Sequence, residues 1–430
     1  MGNDIGRNRR LFIIQGMLGF SAGSLTTGVF LTGFLLLLGA SNLTVGLLTS
    51  AGSWTLLMSL LSSFLVERVR HRKRLLVGVL LLFRLFTTLP VFLPALLGFG
   101  RNTATLAAVM IITGYAINTI NTTDLPVFMM DSIPTEGRES FVYTRMMYIR
   151  AANTVISLGA GSMLDLLGRQ YNGFILIFSL ALAAGILEVA LLSRIRGESV
   201  MRTGRITGSA FRKRLFEPFS NIRYRNFLVF TLGFFFFHFA TASYIPLYQF
   251  KYLQLSYLTI TLYNTAIFIL MILLTRVWSR FERKLGQRRV LVWSASLMAV
   301  DFILYGFLTP QTLWILPASV LVAGVGGAGF WACILPYRYN LMPAEGKSIY
   351  EAWNGTLFAV AGLTGALAGG KLQGALPAIE TGMLTFSPFQ IIFLGAGFSA
   401  MICTVVFGKM DAAVMKRGLP RPQTSNDAVI

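Results

Sequence analysis

Three polar residues at helical spacing interrupt an otherwise apolar stretch, GYAINTINTTDLP. Asn118, Asn121 and Asp124 lie at positions i, i+3 and i+6, so they share one face of a helix. An ionised side chain costs about 2.5–3.5 kcal/mol to place in a bilayer, so it normally faces a water-filled cavity or a partner. The stripe therefore predicts either one wall of a solute pathway or a polar contact between two helices.

Arg150 is the expected partner of Asp124. Each residue lies 13 positions from Gly137, at the turn of a predicted helical hairpin, so the two charges should lie at the same depth. Three interpretations are open. The pair belongs to a solute pathway, or it is a structural ion pair, or Asp124 instead contacts the basic loop near Arg68.

The C-terminal part of the sequence carries four further candidates for binding a solute. His238, in GFFFFHFATA, could hydrogen-bond a solute or carry a proton, or it could be a core histidine satisfied by a hydroxyl. Tyr244 and Trp331 offer flat rings for stacking, although such rings also pack the core or anchor at the interface. Asn354 is a polar candidate within an apolar run.

Three other charged residues fall in apolar runs. Glu188 is six residues from the basic end of its run, so we expect its carboxylate to reach the membrane interface. Arg84 and Asp301 lie deeper, and a lipid-facing position would leave them only partly able to reach water.

The composition is that of a polytopic membrane protein. The 430 residues are 55% hydrophobic and 13% charged, and the mean hydropathy is +0.67. Soluble chains carry about 25% charged residues. The net charge of +20 does not indicate nucleic-acid binding, because the basic residues fall in short breaks between apolar segments. They predict contact with anionic lipids at the cytoplasmic face.

Apolar segments of about 20 residues, long enough to cross a bilayer, occur twelve times. They are 11–38, 43–66, 75–98, 104–130, 144–166, 172–193, 226–250, 256–279, 289–308, 313–336, 350–372 and 387–408. With a cytoplasmic N-terminus, most of the 37 lysines and arginines fall in cytoplasmic loops. We therefore expect an all-α membrane protein with twelve transmembrane helices and both termini in the cytoplasm.

The longest cytoplasmic loop divides the twelve spans into two sets of six. A basic linker, residues 194–225, separates a bundle at 1–193 from a second bundle at 226–409, and residues 410–430 are expected to form a disordered cytoplasmic tail. Within the second bundle, the stretches AGVGGAGF and GLTGALAGG are expected to allow close approach of neighbouring helices.

The two sets of spans carry the same motifs in the same order. VERVRHRKRLLV (66–77) matches FERKLGQRRVLV (281–292), and NLTVGLLTSA (42–51) matches YLTITLYNTA (257–266), both at an offset of 215. A third pair, IPTEGRES and MPAEGKSI, lies at an offset of 209. Three markers in one order indicate two homologous, pseudo-symmetric halves.

The polar stripe has no counterpart in the second half. Asp124 aligns with Ile334, and Arg145 aligns with Asn354. Functional divergence and neutral drift both explain such a difference.

The repeated loop resembles the major facilitator superfamily signature G-x-x-x-D-R-x-G-x-R-K. Glu67 stands where that family has Asp, Arg68, Arg72 and Lys73 match, and both glycines of the signature are replaced. With the twelve spans, the repeat and the basic linker, the resemblance covers nearly the whole chain. It implies the twelve-helix fold of that family and transport by alternating access.

The resemblance also implies a cytoplasmic latch that stabilises one of two alternating states. The alternative is that the same charges only anchor the helices at the membrane surface. The latch candidates are Glu67, Arg68, Arg72, Lys73, Glu282, Arg283, Arg288 and Arg289.

From this resemblance we expect a secondary transporter or uniporter that moves a small polar organic solute across a bacterial cytoplasmic (inner) membrane. Asp124 is the first candidate to carry a coupling proton and His238 the second. One alternative is an exporter of lipophilic compounds or lipids, indicated by the Phe-rich seventh span and the 17 methionines. The other is a non-transporting receptor or scaffold on the same fold.

No motif indicates an enzyme. A nucleotide-binding GxxxxGK[ST] sequence is absent, and the two histidines are isolated, so neither a cofactor nor a metal site is expected. Cys333 and Cys403 lie in apolar runs and are expected to be small buried hydrophobic residues. We also expect no nucleic-acid partner and a monomeric protein.

Overall fold

The computed structural model describes residues 2–58, 72–132, 138–195, 216–343, 347–381 and 384–416. Nearly all of them lie in helices, because a helix satisfies its own backbone hydrogen bonds in a medium without water. The loop residues Glu67 and Arg68 and most of the linker and tail lie outside these ranges.

The first half contains nine α-helices among the described residues, together with 3-10 turns at Thr55–Met58 and Leu89–Phe92. The helices are α1 (Gly2–Leu25), α2 (Gly28–Leu37), α3 (Asn42–Thr49), α4 (Ala51–Trp54), α5 (Arg72–Thr88), α6 (Leu93–Leu97), α7 (Arg101–Asp131), α8 (Arg138–Leu166) and α9 (Tyr171–Arg194).

The second half contains eight α-helices among the described residues and a 3-10 turn at Leu313–Ile315. The helices are α10 (Glu217–Ser220), α11 (Ile222–Ala242), α12 (Ile245–Lys251), α13 (Tyr257–Leu285), α14 (Gln287–Gly306), α15 (Leu316–Asn340), α16 (Lys347–Ala375) and α17 (Pro388–Lys416). Helix α11 begins inside the predicted linker, and α17 continues past the predicted bundle end at residue 409.

A short β-hairpin, which the sequence did not predict, lies between the last two long helices. Strand β1 (Ile379–Thr381) pairs antiparallel with β2 (Leu384–Phe386), with Ile379 opposite Phe386. The fold is thus all-α apart from this hairpin in the described part of the chain.

Ten helical segments among the described residues are long and apolar enough to cross a membrane. They are Gly6–Leu37, Arg72–Leu97, Arg101–Met130, Tyr171–Arg194, Ile222–Lys251, Tyr257–Leu285, Gln287–Gly306, Leu313–Asn340, Ile349–Ala375 and Pro388–Met415. These are ten of the twelve predicted spans, so the protein is a multi-pass membrane protein.

The other two predicted spans have individual features. The second is broken into α3, α4 and the 3-10 turn up to Met58, and its remainder lies outside the described residues. The fifth is α8, a continuous helix of 29 residues that carries charged side chains and is less apolar than the ten. The count of twelve spans stays a prediction.

The chain divides into two compact units. One comprises residues 1–204 together with Leu255–Leu262, and the other comprises Arg205–Gln254 together with Tyr263–Ile430. The first turns of α13 therefore group with the first unit. In that unit the Asp165 carboxylate accepts hydrogen bonds from the backbone N–H groups of Tyr257 (3.2 Å) and Leu258 (2.8 Å), which caps α13.

The helices pack in the same pattern in both halves. In the first half, α1 packs against α8 and α9, and α5 packs against α7 and α9. In the second half, α11 packs against α16 and α17, and α14 packs against α15 and α17. Helices with equivalent places in the repeat therefore have equivalent neighbours, as duplicated halves require.

One hydrogen bond of the first half recurs at the equivalent positions of the second half. Lys73 Nζ donates to the carbonyl oxygen of Ser193 at 2.6 Å, and Arg288 Nη1 donates to that of Gly408 at 3.0 Å. Both members of this contact are offset by 215 positions, the offset of the sequence motifs. A cation at the start of the third predicted span of each half (α5 or α14) thus donates a hydrogen bond to a backbone carbonyl of the sixth span (α9 or α17).

Glycines bring α16 into backbone contact with α11. A Cβ atom at Gly369 would lie 2.5 Å from the carbonyl oxygen of Ala240, and one at Gly365 would overlap the carbonyl oxygen of Phe236. The close approach predicted from GLTGALAGG is confirmed at these two positions, which follow the small-xxx-small pattern of membrane helix pairs.

Replacing Gly365 with Ala should destabilise the protein, because the new methyl group must push α11 away from α16. We expect the free energy of unfolding to fall by about 1–3 kcal/mol, the usual cost of overpacking. The melting temperature in detergent measures this. Gly374→Ala in the same helix is the control, since a Cβ there meets no atom within 4 Å. Equal melting temperatures for the two variants would contradict the contact.

Candidate functional site

Asp124 is paired with Arg72 rather than with the predicted Arg150. Arg72 Nε donates to Asp124 Oδ2 at 2.5 Å, and Arg72 Nη2 donates to Oδ1, so the guanidinium holds both carboxylate oxygens. The prediction assumed that helices adjacent in sequence are adjacent in space. Instead α7 packs against α5, which begins at Arg72, whereas α8 packs against α1 and leaves the Arg150 side chain exposed.

Asn121 also contacts α5. With its amide oriented so that both ends are satisfied, Asn121 donates to the carbonyl oxygen of Leu76 at 3.3 Å and accepts from the N–H of Leu80 at 3.1 Å. Asn118 is half-buried one turn away on α7. Two of the three stripe residues therefore tie α7 to α5, which is the packing interpretation of the stripe.

A buried ion pair joins α5 to α9. Arg84 Nε donates to Glu188 Oε2 at 2.8 Å, and Arg84 Nη2 lies 2.7 Å from the same oxygen and 2.7 Å from the Gly19 carbonyl oxygen. Glu188 is 3% exposed and Arg84 is 5% exposed. The expectation that Glu188 reaches the membrane interface is wrong, because Arg84 gives its carboxylate a partner inside the bundle.

The ion pair extends into a network that includes α1 and α8. Gln15 Nε2 donates to Glu188 Oε1 at 2.8 Å, and Gln15 Oε1 accepts from Arg145 Nη2 at 3.5 Å. Arg145 Nε donates to the carbonyl oxygen of Phe12 at 3.1 Å. Side chains from four helices thus meet in one polar cluster, which we call the Arg84–Glu188 network.

Three glycines make room for the network. A Cβ at Gly16 would lie 2.7 Å from Arg145 Nη2, one at Gly185 would lie 2.9 Å from Arg84 Cδ, and one at Gly19 would overlap the Glu188 carboxylate. The sequence did not predict this site. Its signal is the spacing of Gly16 and Gly19 on the first span, opposite ionisable residues on three other spans.

The second half has no equivalent of this ion pair. At the offset of 215 that relates Lys73 to Arg288 and Ser193 to Gly408, Arg84 corresponds to Ala299 and Glu188 to Cys403. The Arg84–Glu188 pair is therefore specific to the first half, whereas the second half has its own ion pair between Arg223 Nε and the buried Asp411, at 3.2 Å.

Of the candidates in the second half, His238 lies among phenylalanine rings. Its ring centroid is 5.2 Å from that of Phe239, 5.5 Å from Phe302 and 5.8 Å from Phe235. Its Nδ1 is buried and has no hydrogen-bond partner among the described residues.

Tyr244, Trp331 and Asn354 differ in how far a solute could reach them. Tyr244 is 1% exposed and its hydroxyl donates to the Ala366 carbonyl oxygen at 2.6 Å, so its ring packs the core. Trp331 is 46% exposed. Asn354 is 8% exposed, and its Oδ1 lacks a hydrogen-bond partner within the described ranges.

Asp301 forms a second buried polar cluster. It is 8% exposed and accepts a hydrogen bond from Ser319 Oγ, which lies 3.0 Å from the Tyr263 hydroxyl. Gln249 Nε2 donates to the neighbouring Tyr305 hydroxyl at 2.7 Å. In the described part of the chain no cation pairs with Asp301.

The sequence matches the family model of the Major Facilitator Superfamily over residues 11–366 and again over residues 251–428. The chain belongs to the Major Facilitator Superfamily. A comparison with curated protein sequences gives no match.

Solved structures of transporters share the fold of this superfamily member at low sequence identity. The nucleoside transporter NupG is 14% identical, with a TM-score of 0.63 over 94% of this chain and 98% of that one. A bacterial homologue of the iron transporter ferroportin is 16% identical, with a TM-score of 0.68 over 94% and 99%. The POT family transporter PepTSo is 12% identical, with a TM-score of 0.68 over 96% and 99%.

The latch residues that the superfamily resemblance singled out are engaged within their own halves where the structure describes them. Arg72 holds Asp124, Lys73 holds the Ser193 carbonyl, and Arg288 holds the Gly408 carbonyl. Glu282 accepts from Gln287 Nε2 at 2.8 Å, and Arg283 and Arg289 are exposed. The state-dependent latch stays a prediction.

Metal binding has no ready site among the described residues, because no three His, Cys, Asp or Glu side chains there are close enough to hold an ion. The arrangement instead offers hydrogen-bond donors and fixed charges inside a membrane bundle.

A double-mutant cycle should assign the partner of Asp124. Asp124→Asn combined with Arg72→Gln should show a coupling free energy of about 0.5–3 kcal/mol in unfolding, because the two groups are in direct contact. The matched cycle with Arg150→Gln should show much weaker coupling. Stronger coupling to Arg150 than to Arg72 would restore the original pairing.

Proposed function

We propose that this protein is a secondary transporter that moves a small polar organic solute across a bacterial cytoplasmic membrane by alternating access. The observation that carries the proposal is membership of the Major Facilitator Superfamily, matched across both halves. In transporters built from two parallel repeats, the halves move against each other and expose the solute to one side at a time. Transport rather than catalysis also suits a chain in which no nucleophile–base pair is evident.

A polar solute is favoured over a lipophilic one by the Arg84–Glu188 network. Two arginines, a glutamate and a glutamine from four helices cluster inside the first half. Buried charges in membrane proteins mark solute or ion pathways, because placing an ionised side chain in an apolar interior costs free energy. An exporter of lipophilic compounds is the second candidate, because phenylalanine rings surround His238.

The coupling proton, if transport uses one, is assigned to Asp301 in place of Asp124. Arg72 occupies both carboxylate oxygens of Asp124, so that side chain is already engaged in an ion pair. Asp301 has no cation partner in the described part of the chain, and the titratable groups that face it are the Tyr263 and Tyr305 hydroxyls. A change in solvent access at Asp301 would therefore change its protonation.

Purified protein in liposomes should accumulate a solute against its gradient. A thermal-shift screen of sugars, amino acids, nucleosides, dipeptides and organic acids selects the solute, and uptake is then measured with and without an inward proton gradient. We expect at least one polar solute to bind and to be taken up. Binding without uptake would support the receptor, and stabilisation by lipophilic compounds alone would support the exporter.

The same assay tests the proton. Asp301→Asn should lose gradient-driven accumulation but keep solute exchange, because the amide mimics the neutral acid. Glu217→Gln, which changes an exposed carboxylate, is the matched control and should behave like the unmodified protein. Unchanged gradient-driven uptake in Asp301→Asn would remove Asp301 from the mechanism.

A further inference from the structure

The hydrogen bonds that Arg145 makes go to neutral groups. Its Nε donates to the Phe12 carbonyl oxygen at 3.1 Å, and its Nη2 lies 3.5 Å from Gln15 Oε1, at the long limit of a hydrogen bond. Among the described residues no carboxylate lies within ion-pair distance of it. A guanidinium has five N–H donors, so most of its capacity is unused by these two contacts.

The Arg84–Glu188 network contains two guanidinium groups and one carboxylate, so one positive charge is not balanced by a negative one. Glu188 is the nearest acid, and Arg84 binds it with two nitrogens while Gln15 takes its other oxygen. Asp124 is likewise taken by Arg72. Arg145 therefore lies beside a carboxylate that is already neutralised.

The position of Arg145 is built into the helix packing. Gly16 leaves the space in which its guanidinium lies against α1, since a Cβ there would come within 2.7 Å of Nη2 and 2.6 Å of Ile149 Cδ1. The side chain is only partly buried, so part of its surface is left uncovered by the described residues. A fixed, partly accessible guanidinium in a low-dielectric bundle is suited to bind a carboxylate or phosphate with two parallel hydrogen bonds.

We propose that Arg145 receives the anionic group of the transported solute, which makes the substrate a small organic anion bearing a carboxylate or a phosphate. This inference rests on the proposed function and narrows its substrate class. Gln15 supplies a neutral polar contact beside the anion, and Arg84 holds Glu188 so that its negative charge does not repel the ligand.

The test uses pairs of compounds in which one member has an anionic group and the other has a neutral group or none in its place: benzoate and benzamide, succinate and succinamide, and glucose 6-phosphate and glucose. Each is added to the full-length protein in a neutral detergent, and stabilisation and affinity are measured by thermal shift and titration. We expect at least one anion to bind clearly more tightly than its neutral partner. Since charge-assisted hydrogen bonds contribute about 1.5–3 kcal/mol, Arg145→Gln should weaken that affinity about tenfold or more.

Control variants separate binding from folding. Arg145→Lys should keep part of the affinity, because the positive charge remains but the planar guanidinium that can make two parallel hydrogen bonds is lost. Gly16→Ala should weaken binding by displacing the guanidinium, whereas Gly78→Ala, where a Cβ meets nothing within 4 Å, should not. Arg101→Gln changes an exposed arginine and should bind normally. If Arg145→Gln does not fold, the two glycine variants still decide the question.

Several outcomes would overturn the inference. Equal binding of neutral and anionic partners would do so, and so would unchanged anion affinity in Arg145→Gln. Transport of a neutral solute would then leave the proposed function standing. An anionic phospholipid added in place of soluble anions tests the other source of the same chemistry, and stabilisation by the lipid alone would make Arg145 a lipid contact. Absence of any bound or transported solute would remove both proposals.

Discussion

The constraint on which the first half depends is that a charge inside a membrane bundle must have a partner. Arg84 and Glu188 meet this constraint through each other, at 2.7 Å and almost without exposure. Removing one partner of such a pair leaves an isolated charge, which costs far more than the pair itself contributes. The pair therefore requires that α5 and α9 lie side by side. It also requires that α1 passes close enough for Gln15 to donate to Glu188 and for the Gly19 carbonyl oxygen to accept from Arg84. The glycines at 16, 19 and 185 follow from the same requirement.

The second half has the same architecture but a different interior. Equivalent helices have equivalent neighbours, and the Lys73–Ser193 contact recurs as Arg288–Gly408. The positions equivalent to Arg84 and Glu188 are Ala299 and Cys403, and the second half instead has aromatic packing, such as the Phe230 and Phe407 rings stacked at 4.5 Å, and the polar cluster around Asp301. Duplication thus preserved the backbone arrangement, while the buried chemistry of the halves diverged. This asymmetry fits a division in which one half recognises the solute and the other carries a coupling proton.

Much of the fold could be predicted from the sequence, because it follows from the length of apolar segments and from a repeat that is visible in short motifs. A close helix approach at the glycines of α16 could also be predicted from their spacing at i and i+4, although the partner helix α11 could not. The site could not. Depth along a helix can be counted from one sequence, but the direction in which a side chain points around the helix cannot. Counting residues predicts that Asp124 and Arg150 lie at similar depth on helices adjacent in sequence, yet α7 packs on α5 and so Arg72 binds the carboxylate. The prediction that Glu188 reaches the interface is wrong for the same reason. Nothing in the sequence of its own segment shows that Arg84 lies beside it in the bundle.

The measurement that tests this account most directly is the unfolding free energy in detergent of Arg84→Met, Glu188→Leu and the double variant. The account predicts that each single change destabilises the protein by about 3–5 kcal/mol, because it strands a buried charge, and that the double variant recovers much of that loss. Small additive losses, with the double variant the least stable of the three, would show that the ion pair does not organise the first half.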